Sequence, residues 1–202
     1  MNVRIQNSAV YHDGQFVVED ALLSILSDFH GDSVSFERIY LLPGLVDVHV
    51  HLREPGFLYK ESIATGTRAA ARGGYSDVCT MPNLNPVPDS PEHLEPQLQA
   101  IQRDAVIRVH PYGSVTVGQQ GKTLSQLSEL APQVVAFSDD GRGIQSESIM
   151  RQAMAQCQRL GKILAAHCED NSLLRGGYIH DGDYAKAHGH PLPWVFRSWG
   201  SS

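Results

Sequence analysis

Leu45-Val46-Asp47-Val48-His49-Val50-His51-Leu52-Arg53-Glu54-Pro55-Gly56 places two histidines two residues apart inside an apolar, β-branched run. Such residues favour strands, and side chains alternate faces along a strand. His49 and His51 are therefore expected to point the same way, with Val48, Val50 and Leu52 packed on the opposite side of a buried strand. Two imidazoles aimed at one point form a metal chelate; the plainer reading is a pair of core histidines satisfied by neighbouring carbonyls. The run follows Pro43-Gly44 and stops at Glu54-Pro55-Gly56, so the pair lies near the carboxyl end of its strand, where α/β folds place their chemistry.

Downstream of this run, strand and helix patterns alternate, as in a parallel βα architecture. Leu45–Leu52 is predicted as strand one and Glu61–Arg72 as an Ala-rich helix stopped by Gly73-Gly74. Ser76–Thr80 makes strand two, followed by the loop Met81-Pro82-Asn83-Leu84-Asn85-Pro86. Ser90-Pro91 opens a second helix, with Ser as cap and Pro at the first helical position. Ala105–Val109 is strand three, Ser125–Leu130 a short helix, Val134–Phe137 strand four, Glu147–Leu160 a fourth helix and Ile163–Ala166 strand five. The fold class is thus α/β, a partial (β/α)8 barrel of about five strands. Ahead of it, residues 1–41 read as an N-terminal β segment, part of a small β-sandwich, with Asp13-Gly14 as a hairpin turn. The barrel portion takes residues 42–190, and residues 191–202 form an aberrant tail holding both tryptophans.

Composition narrows the function. The 202 residues are 42% hydrophobic and 19% charged, as in a globular protein with a sizeable core. A formal charge of −6 and scattered Lys and Arg argue against a nucleic-acid partner. No apolar run approaches the roughly 18 residues that span a bilayer, and no signal peptide opens the chain, so no membrane partner and a cytoplasmic location are expected. Cys79, Cys157 and Cys168 are an odd count without zinc-finger spacing, which points to reduced thiols.

The predicted strands end in polar residues one after another: His49 and His51, Asn83, His110, Asp139-Asp140, then His167. A barrel that surrounds a metal needs such convergence. His49, His51, Asp140 and His167 make a mixed imidazole and carboxylate shell suited to zinc. A carboxylate can bridge two ions, and a bridged pair about 3.5–4 Å apart activates water and polarises an amide carbonyl. Spacing does not separate Asp140 from Asp139; either can face the site while the other caps a turn. Arg53 can fork onto a substrate carboxylate with the Asn83 amide beside it, or else pair with Glu54 or Glu61. His110 reads as structural, His180, His188 and His190 as a solvated loop, and His12, His30 and His93 have no supporting pattern.

The segment Pro43 to Gly56 resembles the signature of dihydroorotases in the cyclic amidohydrolase superfamily. Met81 to Pro86, Phe137-Ser138-Asp139-Asp140-Gly141 and Ala166-His167-Cys168-Glu169-Asp170 resemble the family's next blocks, in order, over about Leu41 to His190. Related hydantoinases bridge their metals with a carboxylated lysine on strand four, but no lysine lies between Val134 and Gly141, and the Ser-Asp-Asp-Gly run is similar to bacterial class I dihydroorotases. The resemblance implies one or two zinc ions held by His49, His51, Asp140 and His167, and dihydroorotate held by His51, Arg53 and Asn83. It implies reversible cyclisation of N-carbamoyl-L-aspartate to dihydroorotate in pyrimidine synthesis, without a redox cofactor. It also implies a homodimer or association with aspartate carbamoyltransferase. The family's chain is roughly twice as long, and its general acid/base aspartate lies beyond the end of this sequence. A truncated or frameshifted product with impaired catalysis is expected on that ground. The alternatives are a non-catalytic fragment and a hydantoinase-like or allantoinase-like enzyme.

Overall fold

The computed structural model describes residues 2–24, 40–174, 177–179 and 182–190. The chain divides into two compact units, Met1–Leu45 and Val46–Ser202. In the first, β1 (Asn2–His12) and β2 (Gln15–Ser24) pair antiparallel across the Asp13-Gly14 turn, and β3 (Tyr40–Leu41) adds in parallel to β1. Both turn residues have positive φ, 42° and 90°, the conformation that a tight hairpin demands and that the Asp-Gly pair signals. The tail from residue 191 lies outside the described residues.

The second unit is a curled sheet of five parallel strands in chain order: β4 (Leu45–Val50), β5 (Tyr75–Thr80), β6 (Arg108–Gly113), β7 (Ala136–Phe137) and β8 (Ile163–Leu164). The helices α1 (Ile63–Arg72), α2 (Pro91–Asp104), α3 (Leu127–Leu130) and α4 (Glu147–Leu160) alternate with them, as the sequence periodicity predicts. Two short helices, α5 (Asn171–Leu174) and α6 (Asp183–Ala187), follow. Serine side chains start the long helices: Ser62, Ser90 and Ser146 each accept the N–H of the residue three positions on. Gly161 closes α4 in the left-handed conformation that a side chain resists.

Alternation along the strands splits the sheet into two faces. Val78 joins Leu52, Ile63 and Ala100 under the helices, whereas its neighbour Cys79 joins Met81, Tyr112 and Ala136 on the other face. A larger cluster around Phe137, Leu94, Leu127 and Leu130 fills the space beneath α2, α3 and α4. The curl shows in Tyr112, whose hydroxyl reaches from β6 past β5 to donate to the Val48 carbonyl of β4, 3.2 Å away.

Three expectations shift. Strand three was expected at Ala105–Val109 but runs from Arg108 to Gly113, because Ala105 instead caps α2 through its N–H to the Ile101 carbonyl. His110 consequently lies inside β6 rather than at a strand end, and its Nε2 is 2.9 Å from Asp77 Oδ1, a structural role. The strand carrying the two histidines is not buried throughout: Leu52 is 4% exposed, but Val48 is 62% exposed. β4 is an outer strand of its sheet, and the cluster containing Ile63 of α1 covers Val50 and Leu52 rather than the valines before them. Among the described residues no helix is long and apolar enough to cross a membrane.

Two predictions follow from this packing. A Cβ on Gly113 would lie 2.8 Å from the fully buried Phe137 ring opposite it, so Gly113→Ala should lower stability by about 1–3 kcal/mol in chemical denaturation. Asp77 on β5 faces Arg108 in register, and that guanidinium, then His110 and Ser76, hold its carboxyl well below the ordinary carboxylate range. A depressed carboxylate contributes stability that is present above its unfolded pKa and lost as pH falls through the folded value. Asp77→Asn should therefore lower the thermal midpoint near neutral pH, with the gap from the parent closing once pH drops below the ordinary carboxylate range.

Candidate metal centre

The site forms where β4, the loop after β5, the end of β7 and the segment after β8 meet. Strand alternation puts His49 and His51 on one face, their rings 5.2 Å apart edge to face. Asp140, three residues past β7, reaches both: His49 Nε2 is 3.5 Å from its Oδ1, and His51 Nε2 is 3.6 Å from its Oδ2. His167 approaches from the far side, with Nδ1 3.5 Å from the same Oδ1. Ligand atoms of His49, His51 and Asp140 all lie within 4.8 Å of one another; His167 stands outside that trio and shares Asp140 with it.

At 3.5–3.6 Å these separations lie at or beyond the outer limit of a hydrogen bond. They match the edge of a tetrahedron drawn around a zinc ion with ~2.1 Å bonds, roughly 3.4 Å. Asn83 gives the argument chemical direction. Its Nδ2 donates to Asp140 Oδ2 at 3.0 Å, and its Oδ1 faces His51 Nδ1 at 2.9 Å. The carboxylate can only accept, so it dictates the orientation of the amide, and the amide oxygen in turn requires the proton of neutral His51 on Nδ1. The Nε2 lone pair of His51 is left facing a carboxylate, an arrangement that a cation between them stabilises. The donor set and its spacing fit a divalent ion.

The adjacent carboxylates have separate tasks, which spacing alone left open. Asp139 is buried and turns into the protein, where it accepts the N–H groups of Val115 and Thr116 and the Thr116 hydroxyl. Burial pushes its carboxyl upward, and those hydrogen bonds oppose the shift. Asp139 thus fastens the β6 loop, while Asp140 faces the histidines.

Arg53 follows His51 and Leu52 in the left-handed region at φ 55°, costly for a residue with a Cβ. It does not pair with Glu54 or Glu61. Glu54 accepts the Ile63 N–H and faces Arg103, and Glu61 is engaged by Ser62 and Thr65. Arg53 instead lines a cavity of about 200 Å³ together with Asn83 and Asp140. Sequence reasoning missed Gln119, a buried side chain on this wall whose Nε2 donates to the Asp140 carbonyl at 3.4 Å. Its positive φ of 54° leaves no mark in the sequence beyond the preceding Gly118.

Removing the amide that sets the His51 tautomer should weaken metal binding. Asn83→Ala is expected to lower zinc affinity about 10–100-fold in competition with a chromophoric chelator, at unchanged circular dichroism. Unchanged affinity would show that Asn83 does not set the tautomer.

Comparison with known proteins identifies the family. The family model described as dihydro-orotase-like matches residues 38–197. A dihydroorotase of Fusobacterium nucleatum is 52% identical over 149 residues, covering 74% of this chain and 35% of the relative. One from Staphylococcus aureus strain Mu50 is 44% identical over 199 residues, covering 98% of this chain and 47% of the relative. The chain thus spans between about a third and a half of the length of these curated relatives. Among solved structures, the L-hydantoinase of Arthrobacter aurescens superposes with a TM-score of 0.64 at 17% identity, over 86% of this chain and 42% of the other. The dihydropyrimidinase of Brevibacillus agri gives 0.63 at 20% identity, over 94% and 44%. At such identity the structural likeness concerns the barrel fold alone, whereas the family match and the sequence relatives reach further: the chain belongs to the dihydro-orotase-like family.

Proposed function

We propose that this chain carries the metal shell and carboxylate clamp of a zinc-dependent dihydroorotase, which interconverts N-carbamoyl-L-aspartate and dihydroorotate in pyrimidine synthesis. The observation that carries the reading is the convergence of His51 Nε2, 3.6 Å from Asp140, and His49 Nε2, 3.5 Å from the same carboxylate, with His51 Nδ1 held against the Asn83 amide. A divalent ion in such a shell supplies Lewis acidity toward an amide carbonyl and toward water.

The protein's own groups hold and orient the substrate. Arg53, without a carboxylate partner among the described residues, grips the substrate carboxylate with its planar fork. Asn83 orients His51 and keeps one amide hydrogen for the substrate. Phe57, Leu84 and Val87 give the cavity an apolar side that excludes water from part of the ring. His49, His51 and Asp140 would hold one ion, and His167, 3.5 Å from Asp140, would serve a second. A hydantoinase reading is less well supported, because a neutral ring gives Arg53 nothing to hold.

The test is zinc content and turnover of the purified chain beside His51→Ala. The parent should retain zinc through gel filtration and hydrolyse dihydroorotate but not hydantoin. His51→Ala should lose the metal and at least about a hundredfold in rate. Equal zinc in both proteins would overturn the shell; turnover of hydantoin in preference would move the substrate class; a zinc-loaded chain inert to both would leave a non-catalytic metal-binding fragment.

A further inference from the structure

A second cavity, of about 500 Å³, adjoins the one at the metal centre, and the two share Gln119 and Arg142 on their walls. The outer cavity carries Lys122 and Arg142 and no carboxylate. The inner one carries Arg53, Lys60 and Arg142, with Asp140 as its acid. None of these four cations has a carboxylate within 4.0 Å among the described residues, whereas Arg103, Arg108 and Arg151 each do. Glu169 and Asp170 line a neighbouring cavity of about 360 Å³ beside His167, which meets the outer one at Gln145, so the outer cavity lies between that acidic side and the basic wall of the inner one. In a chain of net charge −6, these two adjoining cavities thus keep four cations without a carboxylate partner among the described residues.

The shared wall is fixed in place. Gly118 and Gln119 hold successive left-handed conformations, φ 58° and 54°. Asp89 accepts the Gly118 N–H at 2.8 Å, and Gln119 is 5% exposed with its amide tied to the Asp140 carbonyl. Strain of this kind persists where the surroundings determine it. Unpaired cations along a fixed concave wall focus the field and raise the local concentration of anions.

We infer that Lys122 and Arg142 form an outer capture site for small carboxylates, which draws an anionic substrate from solution toward Arg53 and the metal shell. The inference rests on the proposed function for what the captured anion becomes, but the capture site itself stands on the outer cavity. The probe is therefore succinate, titrated into the chain without added metal and followed by backbone amide NMR. Shifts should centre on residues 119–122 and 142–145, and affinity should fall about threefold to tenfold as salt shortens the Debye length from ~30 to ~10 Å. Lys122→Gln with Arg142→Gln should remove both the shifts and the salt dependence. Shifts confined to Arg53 and Asn83, or unchanged in the double variant, would overturn the capture site.

A second arm uses the zinc-loaded protein. The double variant should bind dihydroorotate several-fold more weakly and bind dihydrouracil, the same ring without the carboxylate, unchanged. Equal weakening of both rings would overturn capture by charge. Succinate binding without dihydroorotate binding would overturn the dihydroorotase reading and leave the capture site standing.

Discussion

Everything in the second unit is arranged around one carboxylate. Asp140 collects three imidazoles and an amide hydrogen, and its two oxygens divide them. A carboxylate accepts only, so three imidazoles drawn around it make a cluster that positive charge completes. The surrounding structure keeps it that way. Asn83 supplies the one hydrogen that fixes its own orientation, Asp139 draws the neighbouring loop inward, and Gln119 holds the Asp140 carbonyl.

Much of this was legible in the sequence because the periodicities are short and unopposed. The His49 and His51 pair follows from strand alternation, and serine caps and terminal glycines mark the helices. The misplaced third strand shows where local pattern fails: Val106-Ile107 is apolar enough to read as strand, yet Ala105 closes a helix and the Val106 N–H goes to the Thr67 hydroxyl of α1. The choice between Asp139 and Asp140 was undecidable from spacing, since adjacent residues at a strand exit diverge and only the Val115 and Thr116 amides reveal which turns inward. Gln119 was invisible for a related reason, because nothing in a glutamine announces a left-handed backbone.

The exposed valines of β4 belong to the same account. An outer strand has a neighbour on one side only, so apolar residues chosen for a covered sheet stand in solvent where the covering ends. Val46 and Val48, more than half exposed, sit just before the two histidines, while Val50 and Leu52, at the chemical end of the strand, are packed against α1. The strand is therefore firmest where its side chains must be aimed.

The proposed ligands come from positions 49, 51, 140 and 167, so the candidate shell spans most of the second unit's length. Contacts between strands that are neighbours in sequence close short loops, but the meeting of His49 with Asp140 needs every intervening βα unit already in register. The coordination geometry is in this sense a checksum on assembly, readable only when each earlier step is correct. Metal uptake during refolding would then time the completion of the sheet rather than the formation of any single strand.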